Sequence, residues 1–479
     1  MPSKYVIHTE AVPRRFQPLI ESGIIAWEEG CLKCAVCVKK KCVYGVYDHR
    51  GLDARQMVES IDNECMNCLR CVQGCPNELI HKSINPEFMA MGDEHWSPNV
   101  IASLWAQSDS GKIPVSGAGY PGPFSGPGFD AIWTDMSEIV RPTRDGIHGR
   151  EYISTAIDLG KTPGHLVFEP ESENVGAKNP ILNWAPLQLL DIPLPIILKV
   201  PGFGAMSEEI FRGWCEAAKR LGTLFSLSAE MSTKMPEEYG PWLLPSLSAD
   251  PISKGFNKAL KALPPGCRMV ELCLDDDWHE TVKEVMALDR KVLISAKVSM
   301  AEGMEEKAQQ LVDAGVPIIH LEGDFRGRGF DDPEKFLKDG IRSVHLKLVE
   351  TGVRDNVTLL ASGGISMAEH VPKAIICGAD GVFVDFPMLI ALECRMCRRC
   401  EKGLSCPVDI QDASSEWTAG RVINLTGAWH NQLLEVMGAM GIRDARRLRG
   451  EVGRAMFFEQ LDRETFESMG TVEEECELE

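Results

Sequence analysis

Eight short apolar runs, most of them separated by stretches of helical spacing, predict an α/β protein built on a closed TIM-type (β/α)8 barrel. Eight cysteines between residues 31 and 75 predict a metal-binding domain ahead of it, and apolar helical spacing beyond Pro407 predicts a helical extension behind it. The runs are 195–200, 223–226, 242–247, 269–274, 292–298, 318–322, 357–361 and 381–385. Amphipathic stretches at 207–221, 277–288, 301–314 and 367–377 lie between them, as expected of a parallel sheet buried on both faces. No clear helical stretch precedes the third run. Eight units in about 200 residues favour closure over an open doubly wound sheet.

At the N-terminus, Cys65-x2-Cys68-x2-Cys71-x3-Cys75-Pro76 has the ligand spacing of a bacterial-type 4Fe-4S ferredoxin, which points to electron transfer. Two-residue gaps curl one loop around three corners of a cubane, while the cysteine before proline serves the neighbouring cluster. The first half, Cys31-x2-Cys34-x2-Cys37-x4-Cys42, has one residue more before its last cysteine. Crossed ligation follows: Cys31, Cys34, Cys37 and Cys75 for one cluster, and Cys42, Cys65, Cys68 and Cys71 for the other. Paired structural zinc sites are the alternative, but zinc uses two Cys pairs across a longer loop. Lys33, Lys39, Lys40 and Lys41 should raise the first cluster's potential or attract an acidic ferredoxin.

With 50 Lys and Arg against 70 Asp and Glu the net charge is −20, which argues against a nucleic-acid partner. The start lacks a signal-peptide core, and the most apolar stretch, 184–206, is broken by Asp191, Lys199 and prolines, so no membrane span is expected. Seventeen cysteines without a secretory signal indicate reduced thiols and metal ligation in the cytoplasm. The domains read as 1–90, a ferredoxin-like domain with two clusters; 91–185, a Gly/Pro-rich connector and lead-in; 186–410, the barrel; and 411–479, a helical extension with a basic run (Arg443, Arg446, Arg447, Arg449) and an acidic tail. An exposed charged face is the commoner explanation of that basic run. In the connector, Tyr120, Phe124 and Phe129 are apolar anchors expected to pack on a neighbour.

Barrels of this type bind phosphate with the loops after strands seven and eight and a nearby helix N-terminus. The candidates are Ser362-Gly363-Gly364, and Gly378-Ala379-Asp380-Gly381 leading into strand eight, with tight turns as the plain alternative. A phosphate-bearing cofactor beside iron-sulfur clusters suggests FMN, and the absence of a G-x-G-x-x-G fingerprint after a strand argues against a built-in NAD site. Lys297, at the carboxyl end of strand five, would face an anionic ligand and stabilise charge on a reduced flavin, unless strand parity turns it outward. On strand six, His320, Glu322 and Asp324 share one face by period two, followed by Arg326 and Arg328.

After strand eight comes Cys394-x2-Cys397-x2-Cys400-x5-Cys406-Pro407 within ALECRMCRRCEKGLSCPVDI. This run resembles the iron-sulfur loop of the FMN-binding domain of glutamate synthase, where three cysteines hold a 3Fe-4S cluster near the flavin. The resemblance extends to Ile139-Val140-Arg141-Pro142 with Asp145 and Glu151, the first-strand loop Gly202-Phe203-Gly204-Ala205-Met206-Ser207, the turn at Leu221-Gly222-Thr223, and Lys297. With the N-terminal cysteines, the chain looks like the FMN subunit of archaeal-type glutamate synthases. That implies a flavin held by the first-strand loop (Gly202, Gly204, Ala205, Met206) and reduction of the 2-iminoglutarate formed from 2-oxoglutarate and ammonia. Cys394, Cys400 and Cys406 take the family's cysteine places. Cys397 is additional, and a fourth thiolate predicts a 4Fe-4S cluster, with a three-iron cluster and a free Cys397 as the alternative.

Two departures fall where substrate should lie. The family's acidic Gly-rich stretch becomes Ser226-Leu227-Ser228-Ala229-Glu230, leaving Glu230 displaced, and its His-Asp-Gly-Gly-Thr-Gly becomes Asp324-Phe325-Arg326-Gly327-Arg328-Gly329. The chain also lacks an N-terminal nucleophilic Cys and a long C-terminal tail, so glutaminase and β-helical functions would belong to separate subunits of a complex. Two functions compete. The first is a flavin-dependent reductase of a 2-oxo acid or its imine, with Glu230, Asp324 and Lys297 at the site and Arg326 or Arg328 clamping a carboxylate. The second is an electron-transfer subunit that uses the clusters and FMN as a one-to-two-electron converter for partner redox proteins or a ferredoxin.

Overall fold

The computed structural model describes residues 5–26, 30–32, 34, 36–47, 65–113, 126–134, 153–160, 189–248, 262–274, 278–287 and 292–470. The expectations for Lys33, Tyr120, Phe124, residues 139–151 and the acidic tail lie outside this set.

Eight parallel strands close into a barrel: β1 (Ile196–Lys199), β2 (Phe225–Ser228), β3 (Leu243–Leu247), β4 (Met269–Cys273), β5 (Leu293–Ser299), β6 (Ile318–Glu322), β7 (Thr358–Ser362) and β8 (Gly381–Val384). Each pairs with the next, and β8 returns to β1. These segments read as continuous apolar runs because helices cover the outside while side chains fill the inside. Helices Glu208–Leu221, Trp278–Ala287, Met304–Asp313 and His370–Cys377 occupy the expected stretches. Between β2 and β3 stand only a short helix, Ala229–Ser232, and a 3-10 segment, Glu237–Trp242, which is why the third run lacks a helical signal before it.

A further helix, Leu337–Glu350, joins β6 to β7. Its buried Leu337, Ile341, Val344 and Leu348 have the spacing that would have identified it.

Outside the barrel, Ser22–Ala26 pairs antiparallel with Ile80–Ile84, bracketing the N-terminal cysteines. Helix Pro98–Ser110, capped by Ser97, leads on to the barrel's flank, where Ile101, Leu104 and Trp105 are buried. The long helix Ser415–Ala439 packs against both Pro98–Ser110 and Glu208–Leu221. Its Arg421 is fully buried, donates to Ala391 O (2.5 Å) and pairs with Asp109. Phe129 is buried against the His370 ring, as an apolar anchor should be.

The basic run lies beyond the helix, which ends at Ala439; only Ala445–Arg447 is helical, as a single 3-10 turn. Arg443, Arg446 and Arg447 are exposed and Arg449 is half-buried, as an exposed charged face should be. Within it Arg446 reaches Asp158 (2.8 Å), and Arg449 reaches Asp355 (2.7 Å) and Asp380 (3.0 Å).

Candidate functional site

The carboxyl ends of the strands carry polar side chains that converge inside the barrel. Lys199 ends β1, Ser226 and Ser228 lie on β2, Ser246 on β3, Glu271 and Cys273 on β4, Lys297 on β5, His320 and Glu322 on β6, and Ser362 ends β7. A mouth cavity of about 450 Å³ is lined by Lys199, Ser226, Ser246, Glu271, Cys273 and Lys297 among others, with Glu230 at its rim. Lys297 points inward: its Nζ lies 3.1 Å from Glu322 and 3.6 Å from Glu271.

These side chains form a closed circuit. Lys199 Nζ donates to Glu322 Oε1 (2.5 Å) and to Ser362 Oγ (3.2 Å). His320 links Ser362 (2.8 Å from Nε2) to Glu271 (2.5 Å from Nδ1). An ionised carboxylate only accepts, so Nδ1 carries the proton toward Glu271 and Nε2 accepts from the Ser362 hydroxyl. His320 is fully buried and stacks on Phe383 with 4.0 Å between ring centroids. Burial holds its pKa down, which keeps the ring neutral despite the adjoining carboxylate.

Burial alone would raise Glu322, but the Lys199 and Lys297 ammoniums outweigh it and hold the carboxyl at about 2. Burial likewise opposes Glu271, which the hydrogen bond from His320 and the same two ammoniums hold below its ordinary value. Burial would lower Lys297, and Glu271 and Glu322 raise it instead. Both carboxyls sit below the ordinary value of 4.5, so their stabilisation is complete above that pH and is lost as pH falls toward about 2. Acid unfolding followed by circular dichroism should therefore set in within this window. The two shifts correspond to on the order of 3 kcal/mol each before coupling, and unchanged stability from pH 5 to pH 2 would contradict the circuit.

The remaining candidates divide. Glu230 is exposed and pairs with Lys234 (2.7 Å). Asp324 lies past the end of β6, where Oδ1 accepts from the backbone N–H groups of Arg326 and Arg328 (both 2.8 Å). It therefore shapes a turn and does not share the inward face with His320 and Glu322. Arg326 is bound to Asp93 (3.0 Å), and Arg328 lies over the Phe336 ring (5.5 Å). Neither lines the mouth cavity, so the expected carboxylate clamp is not assembled there.

Gly363 and Gly364 hold φ of +111° and +63°. A Cβ on Gly363 would stand 2.6 Å from Asp324 O, and one on Gly364 2.4 Å from Gly327 N. The pair lets the loop after β7 pack against the loop after β6. Gly378, Ala379, Asp380 and Gly381 require a correction, because they lead into β8, with Gly381 its first residue, and lie at the barrel's other end. There Arg354 donates to Gly378 O (2.7 Å), and Asp380 pairs with Arg354 (2.8 Å). The loop that does follow β8 is Asp385-Phe386, which the sequence reading missed. Asp385 is buried, and its Oδ1 caps helix Phe386–Ala391 by accepting from Phe386 N (2.7 Å).

The third cysteine loop adjoins this mouth. Cys394, Cys397, Cys400 and Cys406 line a small concavity with Phe203, Gly204 and Ala205 of the loop after β1. Gly202 and Met206 belong to the same loop. Cys42, Cys65, Cys68 and Cys71 line a second small concavity, where Lys82 Nζ lies 3.2 Å from Cys65 Sγ. Cys37 and Cys75 pack on the small core beside it, and Cys31 and Cys34 flank residues outside the described set. Among the described residues, no three His, Cys, Asp or Glu side chains gather at single-ion distances.

The two concavities share a backbone plan. Asn67 and Leu69, on either side of Cys68, have positive φ (52° and 57°), as do Met396 and Arg398 on either side of Cys397 (52° and 53°). Three residues past Cys75 and Cys406, Glu78 and Asp409 again have positive φ. Each N–H returns to its cysteine's carbonyl, at 3.1 and 3.3 Å. Non-glycine residues adopt this conformation at a cost, so its repetition at matching offsets marks two loops built for the same task.

A family pattern described as a conserved region in glutamate synthase matches residues 260–443. Archaeal glutamate synthase [NADPH] of Archaeoglobus fulgidus is 24% identical, covering 88% of this chain and 91% of that protein. Archaeal-type glutamate synthase [NADPH] of Dehalococcoides mccartyi is 25% identical, covering 88% and 92%. Among solved structures, mandelate oxidase aligns with a TM-score of 0.38 at 15% identity, covering 66% of this chain and 97% of that one.

Proposed function

We propose that this chain, a relative of the archaeal-type glutamate synthases over most of its length and a flavin-dependent oxidoreductase of their kind, passes electrons through iron-sulfur clusters to FMN in the barrel mouth for the reduction of a 2-oxo acid or its imine. The observation that carries this reading is adjacency: the third cysteine loop and the loop after β1 line one concavity at the end of the barrel where Lys297 emerges.

The residues fit the groups. The hydroxyls of Ser226, Ser246 and Ser248 and the Lys297 ammonium line a cavity that would take a flavin's polar edge, and the buried Asp385 side chain caps the helix after β8. Bound FMN would supply the chemistry that couples single-electron carriers to a two-electron reduction. The chain's own part is to hold Lys297 against the ring's anionic edge, with Glu271 and Glu322 fixing the ammonium. Cys42, Cys65, Cys68 and Cys71 would hold one cluster, Cys31, Cys34, Cys37 and Cys75 another, and the loop Cys394–Cys406 a third.

The domain limits adopted are 1–90, 91–185, 186–410 and 411–479. Electrons would come from a ferredoxin or a partner redox subunit in a cytoplasmic complex, and any glutaminase or β-helical function from separate subunits. No helix among the described residues is long and apolar enough to cross a membrane.

The commitment of Arg326 to Asp93 and of Asp324 to a turn favours a second reading, an electron-transfer subunit without amino-acid chemistry of its own. Anaerobically purified protein given reduced ferredoxin, 2-oxoglutarate and ammonia distinguishes the two. Glutamate formation is expected of the enzyme, and flavin reduction without glutamate identifies the electron carrier. Colourless protein would sink both.

A further inference from the structure

The geometry points to Lys199 as the residue that sets the net charge of the barrel mouth, and with it the reduction potential of the flavin; this rests on the flavin reading above. Lys297 alone was expected to face a ligand. Yet Lys199 Nζ lies 2.5 Å from the same Glu322 oxygen that Lys297 Nζ approaches to 3.1 Å, and both lysines line the mouth cavity. With Glu271 ionised and His320 neutral, the circuit contains two ammoniums and two carboxylates and has no net charge.

Remove Lys199 and the circuit carries one net negative charge, with Lys297 drawn wholly onto Glu271 and Glu322. A reduced flavin gains negative charge, so its potential follows that balance. Lys199 is therefore a positioning residue: it neutralises Glu322 and leaves Lys297 available to the ring.

The test is spectroelectrochemical titration of the flavin in Lys199→Met, Glu322→Gln and the double variant, alongside the unaltered protein. Lys199→Met should shift the equilibrium toward oxidised flavin at least tenfold, which is about 30 mV for a two-electron couple. Glu322→Gln should shift it a similar amount in the opposite direction, and the double variant should return close to the starting value. A merely structural lysine would give no such opposed pair. Glu322→Gln also keeps the proposal testable should Lys199→Met fail to fold. Flavin bound with unmoved or same-sign potentials overturns this proposal alone, whereas unaltered protein that binds no flavin overturns the reading beneath it.

Discussion

Cys397→Ser should cost the third cluster one iron and convert it to a three-iron form. Three cubanes correspond to about 12 irons per chain, so the variant should hold about 11. A strong 3Fe-4S electron paramagnetic resonance signal should appear in the oxidised variant and be absent from the unaltered protein. The argument is the congruence of two loops. Cys397 occupies in 394–400 the place that Cys68 occupies in 65–71, with a positive-φ residue on each side of both. Three thiolates would not require that backbone, since the two strained residues flank only the middle cysteine, which lines the concavity with the other three. Arg398, stacked over Phe203 and Phe325 at 5.4 and 5.2 Å, anchors the strained turn to the barrel's aromatic end. If the unaltered protein already shows the three-iron signal at full occupancy, Cys397 is not a ligand.

The cysteine loops were legible because their chemistry is local: spacing and the following proline fix which thiols can share a site. The barrel was legible because a strand buried on both faces must be apolar throughout. That same rule hid Glu271, which sits inside the apolar run Met269–Cys273. A lone carboxylate in a buried strand is itself a signal of an interior partner, here His320, 49 residues away. Lys199 carried the same signal at the end of β1.

The arginines were misread because charge in a Gly-rich loop says nothing of pairing across 233 residues to Asp93. The phosphate loop was misplaced for a different reason. Glycines mark turns at both ends of a strand, and only strand direction separates the Gly378–Gly381 turn from the Asp385-Phe386 turn.

Asp385→Asn should tighten FMN binding by two to three orders of magnitude. The loops after strands seven and eight are where such barrels hold phosphate, and here the helix N-terminus after β8 is occupied by its own carboxylate. A carboxylate about 4 Å from a phosphate costs about 4 kcal/mol at an effective dielectric near 20, enough to make the cofactor easily lost on dilution. Fluorescence titration of flavin-depleted protein measures the gain. The pH dependence has a definite sign. Burial raises the Asp385 pKa, Lys199 and the Phe386 N–H oppose that, and Glu322 adds to it. As pH falls through the raised value the carboxyl takes a proton and the repulsion ends. The unaltered protein should therefore bind FMN more tightly as pH falls through that raised value, a gain that Asp385→Asn should lack. Equal affinities with the same flat profile would mean that the phosphate lies away from the loop after β8, and that this barrel holds its flavin by the ring alone.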